Sequence, residues 1–274
     1  MNYSRELVEL AKDTLDHFNN FKKNPKVVKK SIPVLFFGKL KEYLKSDFKV
    51  VTVGLNPSDQ EFLQKDKINP LNPPRFKYSN TDINNKNIKL YIETLSEYFE
   101  INPYNNWFDR NLEKIMNEMG VSFYSNKKFK NRALHTDICS PLATNPTWGN
   151  LSEKDKSEFK AHGYKIWLKL MKLLKPNIIL ISVSEKYLKE YDFIKPKILR
   201  NKSETTFRKS DVYNKEVNLN TKNIKLYEHK EIKNLKVFKG INNSGNPFGN
   251  ISYKRGDKEI KLVSKLILNN SPLY

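Results

Sequence analysis

A chain of 274 residues with 38% hydrophobic content can bury one large core, and its sixteen Phe and fourteen Tyr argue against disorder. Fifty Lys and Arg stand against thirty Asp and Glu, and the resulting formal charge of +20 points to phosphate backbones as partners, unless the lysines merely solvate the surface. The single cysteine, Cys139, excludes a disulfide framework, a Cys-ligated iron–sulfur cluster and a multi-cysteine zinc site.

In chain order, Met1–Leu10 carries charges where a signal peptide needs an apolar stretch, and no apolar run nears the roughly 20 residues of a membrane span. A soluble, cytoplasmic protein without a membrane partner is expected. Residues 4–22 predict an amphipathic helix with Leu7, Leu10, Ala11, Leu15 and Phe18 on one face, and 39–45 a second helix. Phe48 to Leu55 is a short β-branched run ending in glycine, the pattern of a buried strand. A loop with Pro57, Pro70, Pro73 and Pro74 covers 56–85, and 87–99 and 107–119 read as helical. Residues 131–138 suit a strand, followed by a long loop with Pro141 and Pro146.

Asn150-Leu151-Ser152-Glu153 opens a helix running to about Leu174. Asn177 to Val183 is another buried strand, with a helix at 184–191. Helix, strand and helix in short order is the rhythm of a parallel α/β sheet. Residues 197–240 are polar, with twelve basic and five acidic residues, and suggest an inserted hairpin or basic arm. A last strand at 235–241 and a last helix at 257–268 complete the pattern. The four histidines, His17, His135, His162 and His229, show no metal-ligand spacing, so neither a metal nor a cofactor is expected.

Active sites of open parallel sheets form beyond the carboxyl ends of the strands. Three polar turns sit there: Gly54-Leu55-Asn56-Pro57-Ser58-Asp59; His135-Thr136-Asp137-Ile138, running on to Thr144-Asn145-Pro146-Thr147-Trp148; and Gly240-Ile241-Asn242-Asn243-Ser244-Gly245-Asn246-Pro247. Gly54 to Ser58 resembles the first motif of the uracil-DNA glycosylase superfamily, in its mismatch-specific and single-strand-selective branches. Asn242-Asn243-Ser244-Gly245 resembles the second motif, and Thr136-Asp137 sits where many members read the flipped base.

The resemblance implies a three-layer α/β/α sandwich around a short, mostly parallel four-stranded sheet. It would be one domain over 1–274, with an N-terminal helical extension at 1–30 and a basic insertion at 197–233. It implies a monomeric, monofunctional DNA glycosylase. Asn56 would hold the water, and because Asn is not a strong base, that water would trap an already developed sugar cation. Asn242 and Ser244, with Asn243 and Gly245 beside them, would contact the sugar–phosphate and the O2 side of the base. Many members carry a histidine at the place of Asn242.

Asp137 and Ser58 would select the base. A carboxylate accepts from the exocyclic amino group of cytosine, and a small Ser58, where the strongest uracil-removing branch carries a tyrosine, leaves room for a C5 substituent. A modified cytosine, and hence defence against viral DNA, is the expected substrate and role. Uracil or mismatch repair, and DNA binding without chemistry, are the rival readings; a serine hydrolase using Ser182 or Ser184 lacks the nucleophile elbow. Phe62 or Phe76 is the candidate stacking floor. The bland alternatives are an Asx turn for Asn56, a turn cap for Asp137, and a core role for either phenylalanine. His135 is read as structural, pointing elsewhere than Asp137, and Trp107 and Trp148 as loop packing rather than a wedge against DNA.

Overall fold

In the computed structural model of the chain, residues 3–126, 128–194, 196–199, 207–209, 216–218, 224–240 and 257–272 are described. Helix α1 (Arg5–Phe21) starts where Ser4 Oγ accepts from Leu7 N, and buries Leu7, Leu10, Ala11, Leu15 and Phe18, the face expected from spacing. After it come α2 (Leu40–Lys45), β1 (Val50–Gly54), α3 (Ile88–Ser96), α4 (Tyr98–Ile101), α5 (Asn105–Phe108), α6 (Lys114–Glu118), β2 (Val121–Ser122), β3 (Asn131–Asp137), α7 (Glu153–Leu174), β4 (Ile178–Ile181) and α8 (Glu185–Leu188). Strands β5 (Lys197–Leu199), β6 (Phe207–Lys209), β7 (Glu216–Asn218), β8 (Ile224–Glu228) and β9 (Lys236–Gly240) follow, then α9 (Asp257–Leu268). The class is α/β.

Two compact units divide the chain: residues 1–106 with 121–176, and residues 107–120 with 177–274. The first holds three parallel strands in the order β2-β3-β1, with Val50 opposite Ala133 and Gly54 opposite Asp137. Every residue of β1 is buried, which is why that strand is a continuous β-branched run. Helix α7 is capped by Ser152, whose Oγ accepts from Asp155 N at 3.1 Å and donates to the Asp155 carboxylate at 2.6 Å. It packs on α1, with Phe159 edge-on to Phe21 at 5.1 Å. Gly163 lets α7 close on the chain leaving β3, since a Cβ there would lie 2.4 Å from the Cys139 carbonyl oxygen.

The second unit holds four strands in the order β4-β9-β8-β5. Strand β4 runs parallel to β9, whereas β8 and β5 are antiparallel. A separate antiparallel pair, β6 with β7, joins Phe207–Lys209 to Glu216–Asn218. The expected four-stranded, mostly parallel sheet is therefore corrected. Strands β5 and β8 fall in the basic stretch read as an insertion, because Lys197-Ile198-Leu199 and Ile224-Lys225-Leu226 interleave lysines with apolar residues and look polar on average. Strand β2 has two residues, too few to show any period. The expected helix at 107–119 contains a π-helical turn at Asp109–Glu113. No helix among the described residues is long and apolar enough to cross a membrane.

Candidate active site at the ends of β1 and β3

Pairing of β1 with β3 continues past the strand ends, as Ile138 N donates to Gly54 O and Cys139 N to Leu55 O. The two following turns are thereby held side by side. Asn56 lies in the first. Its amide Nδ2 donates to the Leu142 carbonyl at 3.0 Å, to Thr144 Oγ1 at 2.9 Å and to its neighbour Pro57 O at 3.1 Å. All the donor capacity is used inward, and Oδ1 takes no bond among the described residues. No backbone N–H reaches Oδ1 either, so the Asx-turn alternative does not describe this residue. Ser58 does the capping instead, accepting from Gln60 N at 3.1 Å and donating to Asp59 Oδ1 at 3.0 Å. Its hydroxyl is thus engaged locally, while the residue stays partly exposed.

Strand β3 sorts its side chains by alternation. Thr136 faces α7, where Trp167 Nε1 donates to its hydroxyl at 3.3 Å. His135 and Asp137, two residues apart, share the opposite face, with His135 Nε2 3.7 Å from Asp137 Oδ1. The expectation that His135 points elsewhere is corrected: positions i and i+2 of a strand cannot be separated by pleating. Thr52 on β1 anchors the other ring nitrogen, with its Oγ1 2.8 Å from Nδ1. Asp137 is only 7% exposed, and its Oδ2 is buried with no hydrogen-bond partner. It caps no turn. Gly54 makes the room, for a Cβ at that position would sit 2.6 Å from Asp137 Oδ1.

Phe62 and Phe76 come together as a stacked pair, centroids 5.2 Å apart and planes 12° apart. Phe76 is buried against Phe37 and Tyr98, at 6.1 and 5.2 Å, whereas Phe62 remains partly exposed. Phe37 links this group to the strand end: its ring lies 5.3 Å from that of His135, and the two residues exchange backbone hydrogen bonds of 2.8 and 3.1 Å. Trp148 is buried, in keeping with packing rather than wedging.

Three members of the site escaped sequence reading: Phe37, Tyr98 and Glu61. Glu61 is 5% exposed and accepts from the Tyr98 hydroxyl at 2.6 Å, with Arg75 Nε 3.5 Å away. Burial pushes its carboxyl up from 4.5 to about 7; Asp137 pushes the same way, and Tyr98 and Arg75 oppose. A signal existed, since Ser58-Asp59-Gln60-Glu61 matches a capping box, but that pattern would have turned Glu61 back onto its own helix rather than toward Tyr98. Asn242, Asn243, Ser244 and Gly245 lie outside the described residues. Among the described residues no group of three or more His, Cys, Asp or Glu is arranged to hold a metal ion. No family model, curated protein or solved structure matches the chain.

Proposed function

We propose that the chain is a DNA glycosylase that flips one base out of DNA and hydrolyses its bond to the sugar, and that the base is a cytosine bearing a C5 substituent. One observation carries the reading. An amide whose donors are all spent on Leu142, Thr144 and Pro57 presents its oxygen beside a strand end where Asp137 keeps a buried carboxylate oxygen unbonded. Burying a polar oxygen without a partner is costly, and a donor on a bound base would relieve that cost at Asp137. The exocyclic amino group of cytosine is a donor of the right kind. The Asn56 oxygen can hold a water against the sugar cation without acting as a base. A partly exposed phenylalanine, Phe62, is the candidate to stack on a flipped base.

The net charge of +20 supports a DNA backbone as the partner through counterion release. The proposal includes the three-layer α/β/α arrangement, a monomer, a cytoplasmic setting, and contacts to DNA from Asn242, Asn243, Ser244 and Gly245. Removal of modified cytosines would serve defence against viral DNA. The test is mass spectrometry of bases released from otherwise identical duplexes carrying uracil, cytosine or 5-hydroxymethylcytosine. Release of the modified cytosine is expected. Fast release of uracil alone would refute the choice of base and favour repair, and release of nothing would favour DNA binding without chemistry.

A further inference from the structure

Glu61 has no role in the chemistry described so far, yet it is the most unusual group of the site. It closes the 3-10 turn Asp59–Glu61 that follows the Asn56 turn. Tyr98 from α4 donates to its Oε2, and Arg75 from the loop that follows the turn approaches the same oxygen. Asp137 at the end of β3 acts on it through space, with His135 beside Asp137, and on its own turn Asp59 is paired with Lys67 at 3.3 Å. Oε1 of Glu61 takes no bond among the described residues. Glu61 and Asp137 are thus two buried carboxyls of one site, and the Oδ2 of Asp137 has no hydrogen-bond partner.

Resting on the glycosylase reading, we propose that Glu61 is the general acid of the site: its carboxyl O–H protonates N3 of the departing cytosine while Asp137 accepts from the exocyclic amino group. The Watson–Crick edge of cytosine places an acceptor, N3, next to a donor, the amino group. Its complement is one donor and one acceptor, which a protonated and an unprotonated carboxyl supply together. Burial first, and the nearby Asp137 in addition, oppose ionisation of Glu61 and favour its protonated form. With Oε2 accepting from Tyr98, that proton belongs on Oε1. Burial brings this carboxyl to about 7, where an acid is half-loaded at neutral pH and still a good donor.

The step balances. The bond from the sugar C1′ to N1 breaks and its electron pair stays with the base, while the Glu61 proton moves to N3, so the base leaves neutral. The water held by Asn56 bonds through its oxygen to C1′ and gives its proton to solvent. Glu61 then regains a proton from solvent.

The experiment is single-turnover excision by the full chain on a duplex carrying 5-hydroxymethylcytosine, followed across pH for wild type, Glu61→Gln and Tyr98→Phe, with duplex affinity measured in parallel. Wild-type rate is expected to fall tenfold per pH unit above about 7. Glu61→Gln should keep its affinity, lose that limb and run roughly a hundredfold slower. Tyr98→Phe, which removes a hydrogen bond favouring the ionised form, should move the limb to higher pH. An unchanged limb in either variant would overturn the assignment while leaving the glycosylase reading intact. Excision of uracil but not of cytosine bases would also overturn it, because uracil already carries a proton on N3. If wild type releases no base at all, the glycosylase reading falls and the role of Glu61 with it.

Discussion

Glu61→Gln should also change how stability depends on pH, whatever reaction the site performs. The carboxyl is raised from 4.5 to about 7 in the folded chain, chiefly by burial. Between those values the folded state holds a proton that the unfolded chain has released. The stability from this proton is therefore full below about 4.5 and is lost as pH rises through about 7. A tenfold difference in proton affinity between the folded and unfolded states corresponds to about 1.4 kcal/mol, so the loss between about pH 5 and pH 8 comes to roughly 2–3 kcal/mol. Glutamine keeps the shape and can still accept from Tyr98, but it has no proton to lose. Urea unfolding of both proteins at the two pH values isolates the effect, because titrating groups that do not interact with Glu61 cancel in the difference. The unfolding free energy of Glu61→Gln relative to wild type should rise by roughly 2–3 kcal/mol from the lower to the higher pH. A difference that stays constant would mean that the carboxyl is solvated and ionised, and that the buried pair with Asp137 does not exist.

Asn56→Ala should slow excision by at least roughly a hundredfold with duplex affinity nearly unchanged, since it removes the oxygen that holds the water. It also strands the Leu142 carbonyl, at a cost of about 1–3 kcal/mol measurable by denaturation; near-wild-type excision would remove Asn56 from the chemistry. Gly163→Ala should destabilise the fold by about 1–3 kcal/mol, because its Cβ would press on the Cys139 carbonyl oxygen at 2.4 Å and backbone must shift. An unfolding midpoint equal to that of wild type would show that α7 moves freely there. DNA affinity should fall by orders of magnitude when salt rises from about 50 to 200 mM, and a flat response in a titration would mean that the lysines do not contact phosphate.

Local chemistry carried much of this molecule in the sequence. The apolar spacing over Leu7, Leu10, Ala11, Leu15 and Phe18 marked α1, Ser152 marked the start of α7, and the β-branched run before Gly54 marked β1, because each depends on residues within one turn or strand. Asn56 and Asp137 were legible as strand-end residues for the same reason. The companions that give them meaning were not. Thr144 and Leu142 orient Asn56 from 88 and 86 residues away, and Tyr98 meets Glu61 from 37 residues away. Nothing periodic connects such positions, and the local pattern around Glu61 suggested a different partner. Which strands lie beside one another was equally hidden, as the lysine-rich β5 and β8 show, because pairing is decided by distant backbone rather than by a strand's own residues. Sequence alone therefore determined the elements, the charge and the residues at the strand ends. Tertiary structure decided which of those residues are buried together, and burial is what leaves an Asp137 oxygen without a partner and raises the Glu61 carboxyl toward neutrality.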